Sequence, residues 1–219
     1  MSLRVKVCGL TRLEDAKLAE ACGAHALGFI FYRPSPRSAD PDTVARIAAA
    51  LHPYTVKVGV FVGESPARMN ELARHCRLDR IQLHGGEAYE VLAQLERPGY
   101  RAFKLKDEAD LAALHAAPDE TVLLDTFDPA LHGGTGRPFN WEWARTLGER
   151  RRVILAGGLS AGNVALALHT ARPAALDVSS SLEAAPGRKE PAKVEAFFAA
   201  LRAALATDEP WSASDAIAI

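Results

Sequence analysis

Short apolar runs alternate with amphipathic segments along most of the chain. Helix-like stretches, and not tight hairpin turns, separate the apolar runs, which predicts a parallel sheet with crossover helices. The predicted strands are residues 3–8, 26–31, 55–62, 80–83, 101–105, 121–125, 152–155 and 174–178. The predicted helices are residues 12–22, 42–51, 65–76, 87–95, 108–115, 141–147, 161–169 and 190–205, the first of them opening after Thr11 as N-cap.

Eight β/α units in one chain favour a closed barrel over an open, doubly wound sheet. The motif GxGxxG, which a dinucleotide-binding sheet places after its first strand, is not found there. We therefore predict an α/β fold, a single (β/α)8 TIM barrel, over residues 1–206. Residues 207–219 fit no unit and are predicted to form a C-terminal extension of unknown role.

Composition excludes several classes of protein. The formal net charge of −1 comes with no basic stripe, so a nucleic-acid partner is not expected. No apolar run approaches the roughly 20 residues of a membrane span, and the N-terminus has no signal-peptide core. The chain's three cysteines form no CxxC pair, which argues against a disulfide framework or a zinc site. These features predict a cytoplasmic protein.

Polar residues interrupt the alternation of the first strand. Leu3, Val5 and Val7 share one parity and are expected to face the helices. Lys6 and Cys8 then point into the barrel, with Cys8 at the C-terminal mouth where barrel active sites lie. A single buried cysteine is often only a small apolar residue, so its position alone assigns no role.

Three further strands bring polar groups to the same mouth. Gln82 and His84 are expected to face inward from the fourth strand, Asp125 from the sixth and Asp177 from the eighth. Each also has an ordinary structural interpretation, because a strand-end Asp often caps a helix and a histidine often only lines a pocket. Their joint placement carries more weight, since buried charge is costly without a partner or a purpose.

Glycine- and serine-rich turns follow the last two predicted strands. In (β/α)8 barrels the loops after strands seven and eight often bind phosphate, and glycine lets the backbone approach an anion closely. A further glycine-rich stretch at 133–136 adds backbone donors but has no P-loop lysine. The candidate phosphate-binding residues are Gly134, Gly157, Gly158, Ser179 and Ser180.

Several short motifs occur in an order that resembles the phosphoribosylanthranilate isomerase family. They extend from residue 6 to about residue 190, and together they are far more specific than any one of them. The matching segments are Lys6-Val7-Cys8-Gly9-Leu10-Thr11, Ser35-Pro36-Arg37, Val58-Gly59-Val60-Phe61, Gln82-Leu83-His84-Gly85, Leu124-Asp125-Thr126, Gly133-Gly134-Thr135-Gly136, Phe139-Asn140-Trp141, Ala156-Gly157-Gly158-Leu159 and Asp177-Val178-Ser179-Ser180.

The resemblance implies an Amadori rearrangement in tryptophan biosynthesis, without a cofactor or a metal. It implies that Asp125 is the general acid that opens the ribose ring and that Cys8 is the general base that removes the C2′ proton. Arg37 would hold the anthranilate carboxylate, and His84 and Asp177 would contact the substrate. The glycines and serines named above would cradle the phosphate of this small phosphosugar.

These roles set requirements on the pKa values of the two groups. Cys8 must lose its proton, and Lys6, on the same face two residues earlier, is the candidate neighbour that lowers the thiol pKa. Asp125 must keep a proton at neutral pH, which burial favours. Ser181 departs from the family pattern, which often has glycine there. The Arg188-Lys189-Glu190 segment is a conservative replacement for Lys-Lys-Asp.

Two alternative functions stay open from sequence. The histidine-pathway isomerase performs the same rearrangement with two carboxylates, but here Cys8 stands in place of one of them. A non-catalytic phosphosugar-binding barrel would have lost the acid or the base, and this chain has both. A metal-dependent epimerase would need several ligands at strand ends, and His84 is the one plausible ligand. We expect the protein to be a monomer or a homodimer.

Overall fold

A closed barrel of eight parallel strands forms the centre of the computed structural model, which describes residues 3–125 and 141–207. Each strand pairs with the next one along the chain, and the eighth closes the barrel on the first. The strands are β1 (Arg4–Val7), β2 (Ala26–Ile30), β3 (Val56–Phe61), β4 (Arg80–Leu83), β5 (Gly99–Phe103), β6 (Thr121–Asp125), β7 (Arg152–Ala156) and β8 (Ala175–Val178). The predicted fold class is confirmed.

The helices follow the strands in alternation. The helices that begin at Pro41 and Pro66 each follow a side-chain cap, where Asp40 accepts from the Thr43 amide at 2.9 Å and Ser65 accepts from the Arg68 amide at 3.3 Å. The α-helices are α1 (Leu13–Cys22), α2 (Pro41–Ala50), α3 (Pro66–His75), α4 (Glu108–Ala116), α5 (Trp141–Gly148), α6 (Val164–Ala171) and α7 (Pro191–Thr207).

The buried apolar residues form two clusters, one inside the barrel and one between the strands and the helices. Val5 and Val7 of β1 belong to the larger, outer cluster. The inner cluster fills the barrel and contains Val58, Tyr100 and Leu123. The alternation predicted for the first, fourth and sixth strands is therefore confirmed, and it leaves Lys6 and Gln82 as buried polar groups inside the barrel.

The predicted cap of the first helix is wrong. Arg12 occupies the N-cap position of α1 without a capping side-chain hydrogen bond. The Thr11 hydroxyl instead donates to the Gly187 carbonyl at 2.7 Å, more than 170 residues later in the chain. A long-range contact has thus replaced the local one that the sequence pattern favours.

The fourth unit also differs from its prediction. Residues 87–95 were expected to be a helix, but the structure has a 3₁₀ helix over Tyr89–Gln94. The Glu87 carboxylate accepts from the backbone amides of Gly63 and Gly85 at 2.7 and 2.8 Å. These bonds tie the start of the segment to two neighbouring loops, so the helical turns begin only after it.

A short antiparallel hairpin follows β8 and was not predicted. A 3₁₀ turn at Ser180–Leu182 leads into β9 (Glu183–Ala185), which pairs with β10 (Arg188–Lys189). Helix α7 then runs to Thr207, so this residue belongs to the last helix and not to the predicted extension. The rest of that extension lies outside the described residues. Among the helices that the structure describes, none has the length and apolar character needed to cross a membrane.

Candidate active site

The C-terminal mouth of the barrel holds a cavity of about 590 Å³. The structure places most of the residues predicted from sequence around it, whereas Gly134 lies outside the described residues. The predicted residues that line the cavity are Cys8, Arg37, His84, Asp125, Asp177, Gly157, Gly158, Ser179 and Ser180.

Cys8 stands at the end of β1 and is buried, with 7% of its surface exposed. Its amide donates to the Val178 carbonyl of β8 at 2.9 Å, which fixes the backbone at the barrel seam. Gly28 on β2 leaves the space for the thiol, because a Cβ there would lie 2.7 Å from Cys8 Sγ and 3.0 Å from Lys6 Nζ. The Cys8 thiol and the Lys6 ammonium therefore both lie against Gly28, in the space that a side chain there would fill.

The surroundings of Cys8 act on its proton in opposite directions. Burial raises the pKa of the thiol, whereas the charges of Lys6 and Lys189 and a hydrogen bond with Lys6 lower it. Burial prevails, and the pKa lies above its ordinary value. Lys6 thus acts in the direction expected from sequence, but its effect is smaller than that of burial.

Lys6 is itself paired inside the barrel. Its ammonium lies 2.9 and 3.0 Å from the two carboxylate oxygens of Asp177, which neighbours it across the β1–β8 register. Burial alone would lower the pKa of Lys6, but the attraction of Asp177 and smaller contributions from Cys8 and Tyr100 outweigh it, so the pKa is raised. Lys6 is accordingly a fixed cation beside the thiol.

The partly exposed Arg37 and the buried Glu183 and Lys189 form a charged cluster on the same side of the cavity. Arg37 donates through Nε and Nη2 to the Glu183 carboxylate at 2.7–2.9 Å. Lys189, whose side chain is fully buried, donates to Glu183 at 3.1 Å, to the Cys8 carbonyl at 2.7 Å and to the Ser179 carbonyl at 3.1 Å. We call these three residues the Glu183 cluster. It joins the loops after β1, β2 and β8.

The sequence interpretation missed Glu183, and it named Lys189 only as part of a conservative replacement. Burial alone would raise the pKa of Glu183, but hydrogen bonds from Arg37 and Lys189 and their charges lower it below its ordinary value. Both residues flank the turn at Pro186-Gly187, a dipeptide typical of turns, so a hairpin there was a detectable signal. Gly9, which has a backbone φ of +76°, leaves room for the Arg37 side chain, because a Cβ on Gly9 would lie 2.9 Å from Arg37 Cδ.

The opposite side of the mouth carries uncharged donors and acceptors. Tyr100 on β5 donates from its hydroxyl to Gln82 Oε1 at 3.1 Å, and Gln82 Nε2 lies 3.0 Å from His84 Nδ1. His84 Nε2 in turn lies 3.3 Å from Asp125 Oδ2. We call Tyr100, Gln82 and His84 the Gln82 chain. It leads from the barrel interior to the carboxyl group at the end of β6.

The loops after β7 and β8 meet beside these groups. Gly157 and Gly158 both have left-handed backbone angles, at φ +80° and +64°. The Ser179 hydroxyl donates to the Cys8 carbonyl at 3.1 Å, and the Ser181 hydroxyl donates to the Leu159 carbonyl. Ser181, which departs from the expected glycine, thus links the two loops predicted to hold phosphate.

A metal site is not built by the residues that the structure describes. Over 3–125 and 141–207, no group of three or more His, Cys, Asp and Glu side chains is arranged to hold a metal ion. The mouth brings together a thiol, a carboxyl group, a guanidinium and the two glycine- and serine-containing loops after β7 and β8. These are groups suited to proton transfer on an anionic substrate.

Comparison with known proteins gives one consistent result. A family described as N-(5'phosphoribosyl)anthranilate (PRA) isomerase matches residues 5–200. A relative of that name from Pelobacter propionicus is 44% identical over 196 residues, which cover 90% of this chain and 94% of the relative.

Two solved structures have the same fold. One is a phosphoribosyl anthranilate isomerase in complex with reduced 1-(o-carboxyphenylamino)-1-deoxyribulose 5-phosphate. It is 35% identical, with a TM-score of 0.82 over 92% of this chain and 100% of that one. The other, described as monomers generated from a dimeric isomerase of Thermotoga maritima, is 34% identical, with a TM-score of 0.81 and the same coverage. The chain belongs to the N-(5'-phosphoribosyl)anthranilate isomerase family.

Proposed function

We propose that the barrel mouth carries out the Amadori rearrangement of N-(5-phosphoribosyl)anthranilate to 1-(2-carboxyphenylamino)-1-deoxyribulose 5-phosphate, with Asp125 as acid and Cys8 as base. One observation carries this assignment of roles: a thiol from β1 and a carboxyl group from β6 line the same cavity of about 590 Å³. Family membership supplies the reaction, which belongs to tryptophan biosynthesis. General acid–base catalysis needs two such groups within reach of one sugar.

The first step opens the ribose ring. The protonated Asp125 carboxyl gives its proton to the ring oxygen, and the C1′–O bond breaks with its electron pair on that oxygen. The anthranilate nitrogen supplies its lone pair to C1′, which forms an iminium ion. Asp125 becomes a carboxylate beside His84, whose Nε2 lies 3.3 Å from Oδ2.

The second step moves a proton from carbon. The Cys8 thiolate takes the C2′ proton, the C–H electron pair forms the C1′=C2′ double bond, and the iminium electrons return to nitrogen. The resulting enolamine becomes the ketone by transfer of a proton from the C2′ hydroxyl to C1′. Neither step changes the oxidation state of the molecule as a whole, so a redox cofactor is not required.

The substrate's two anionic ends have separate partners in this assignment. The Arg37 guanidinium lines the cavity and is oriented by Glu183, and its planar donors suit the anthranilate carboxylate. The phosphate would lie between the Gly157-Gly158 turn and Ser179-Ser180, which line the cavity at the position typical of barrel phosphate sites. His84 and Asp177 complete the set of substrate contacts.

The test is an isomerase assay on freshly prepared phosphoribosylanthranilate. We expect the wild type to consume the substrate's fluorescence rapidly, and Cys8→Ser and Asp125→Asn to be slower by at least about 10²-fold, as loss of a general base or acid implies. Cys22→Ser is the matched control, because Cys22 lies on α1 away from the cavity. An unaffected Cys8→Ser would move the base elsewhere. An inactive wild type that still binds phosphosugar would leave a binding barrel.

Three further properties complete the proposal. We infer a cytoplasmic location from the three free cysteines, Cys8, Cys22 and Cys76, to be tested by cell fractionation. A monomer or a homodimer is proposed, in line with the dimeric relative, and sedimentation would decide between them.

The extension is proposed to be dispensable, because the family match ends at residue 200. A chain that stops after Thr207 should keep the wild-type kcat and melting temperature in the same isomerase assay and a thermal scan. A loss of either value beyond about twofold or a few degrees would contradict this.

A further inference from the structure

The Gln82 chain joins a phenol, an amide and an imidazole, and the orientation of the amide sets the donor and acceptor roles along it. The Tyr100 hydroxyl donates to Gln82 Oε1, so the amide oxygen is turned toward β5 and the amide nitrogen toward His84. An amide nitrogen only donates, so His84 Nδ1 at 3.0 Å has to accept. The proton of a neutral imidazole must then reside on the other ring nitrogen.

That other nitrogen faces the candidate general acid. His84 Nε2 lies 3.3 Å from Oδ2 of Asp125, and both side chains are mostly buried, with 25% and 18% of their surface exposed. A proton on Nε2 would therefore lie within reach of the carboxyl group. The position of this proton depends on Gln82, which lies inside the barrel two residues before His84.

We propose that Gln82 and Tyr100 are positioning residues for the isomerisation: they hold His84 as the neutral tautomer with its proton on Nε2, which orients Asp125. The proposal rests on the proposed function, because it takes Asp125 as the acid. Gln82 lines the cavity, but neither Gln82 nor Tyr100 is assigned a contact with the substrate. Each acts only through the next member of the chain.

Burial shields the Gln82 chain from water. Gln82 is 1% exposed and Tyr100 is 8% exposed, and the two face each other in the β4–β5 register. Burial raises the pKa of the Tyr100 phenol above its ordinary value, despite a lowering effect of Lys6, so the phenol keeps its proton. A flipped amide would turn its nitrogen toward the Tyr100 oxygen and its oxygen toward His84 Nδ1, which would then have to carry the proton. The position of the proton on His84 therefore reports the orientation of the amide.

A second proton on His84 would conflict with this orientation of the amide. An imidazolium carries hydrogen on both nitrogens, and Nδ1–H would then meet the N–H of Gln82. The charged and titratable groups near the imidazole and its chain are Asp125 on β6, Asp177 on β8, Lys6 and Cys8 on and after β1, Arg80 on β4 and Lys104 after β5.

The tautomer is measurable directly. Long-range ¹H–¹⁵N correlation spectra of ¹⁵N-histidine-labelled protein, assigned with His84→Gln, show which ring nitrogen is unprotonated. We expect Nδ1 to give the imine-like resonance of His84 at neutral pH. An imine-like Nε2, or an imidazolium at neutral pH, would overturn the inference whatever the isomerase assay shows.

Variants of nearly equal volume separate positioning from packing. Gln82→Met removes the donor to Nδ1, and Gln82→Glu replaces it by a carboxylate that stabilises a proton there. We expect the His84 resonances to lose the pure Nε2–H pattern in Gln82→Met and to show a proton on Nδ1 in Gln82→Glu. Gln94→Met is the control, because Gln94 lies in the surface 3₁₀ helix away from the cavity.

Kinetics give the second measurement. Gln82→Met and Tyr100→Phe should lower kcat by about tenfold with KM nearly unchanged, as expected for residues that orient a catalytic group. Gln82→Glu should lose activity at a higher pH than the wild type on the acid side, by about one pH unit or more. A purely structural role predicts neither the changed pH profile nor a changed tautomer. If Asp125→Asn were fully active, the acid assignment would fail, and the His84 spectrum would still judge the tautomer separately.

Discussion

The two sides of the barrel mouth place different kinds of groups around the proposed base, Cys8, and the proposed acid, Asp125. Around Cys8 lie three cations, Lys6, Lys189 and Arg37, held by the carboxylates of Asp177 and Glu183. Beside Asp125 lies the Gln82 chain, whose members are joined by hydrogen bonds and whose His84 Nε2 lies 3.3 Å from Asp125 Oδ2. The proposed base thus stands among cations, whereas the proposed acid has an imidazole as its neighbour.

The comparison also shows what burial contributes. Burial raises the pKa of a thiol, so on the Cys8 side it acts against the cations. On the Asp125 side, His84 Nε2 lies 3.3 Å from the carboxyl group and orients it in our proposal. The base side therefore needs fixed charges, whereas the acid side needs only an oriented neighbour. Each of the following predictions changes a residue on one side of the mouth, and the results for the two sides are then compared.

The largest effect is expected from removing the anion at the centre of the Glu183 cluster. Glu183→Met leaves the fully buried Lys189 ammonium beside Arg37 without a counter-charge. Breaking a buried ion pair in this way costs about 3–5 kcal/mol of unfolding free energy. Urea unfolding of the wild type and the variant measures the difference.

A double variant provides the control for this prediction. Removing both charges, in Glu183→Met with Lys189→Met, should recover part of the lost stability, because an apolar pair replaces the unpaired cation. If Glu183→Met alone lost less than about 1 kcal/mol, the cluster would be no stronger than an exposed pair, and the contrast between the two sides would disappear.

A smaller loss is expected on the opposite side. Gln82→Met leaves the Tyr100 hydroxyl and His84 Nδ1 without their partner, but it leaves no unpaired charge. The cost of such buried, uncharged groups is about 1–3 kcal/mol, below that of Glu183→Met. The same urea titration compares them, with Gln94→Met as the surface control. A larger loss for Gln82→Met than for Glu183→Met would reverse the comparison.

The two sides also differ in how much of them the sequence reveals. Strand alternation was enough to turn Cys8, Gln82 and Asp125 into the barrel, because a period of two fixes the direction of every strand side chain. Glu183 lies in a hairpin after the last strand, where no periodicity applies. The order Tyr100–Gln82–His84 depends on the β4–β5 register, which pairs Gln82 with Tyr100 and is not encoded by either strand alone. Thr11 was misassigned for the same reason, since its partner Gly187 is distant in sequence.

The titration of Cys8 sharpens the comparison on the base side. Because burial raises its pKa, the Cys8 thiol should lose its proton only at a higher pH than an ordinary thiol does. The ultraviolet thiolate absorbance of the wild type minus that of Cys8→Ser, recorded against pH, measures this directly. A thiolate already present at pH 7 would show that the cations outweigh burial.

The smallest effect concerns the contribution of Lys189 to that titration. Its ammonium lowers the Cys8 pKa, but it comes last among the causes, after burial, Lys6 and Asp177. Lys189→Met should therefore move the thiolate titration to slightly higher pH. The Gln82 chain should not respond, so the His84 tautomer should stay as in the wild type. Lys193→Met is the matched control, because the Lys193 ammonium donates to the Glu183 backbone carbonyl, at 2.8 Å, instead of to its carboxylate. A shift to lower pH in Lys189→Met would mean that the cluster acts on Cys8 through its carboxylate and not through its cations.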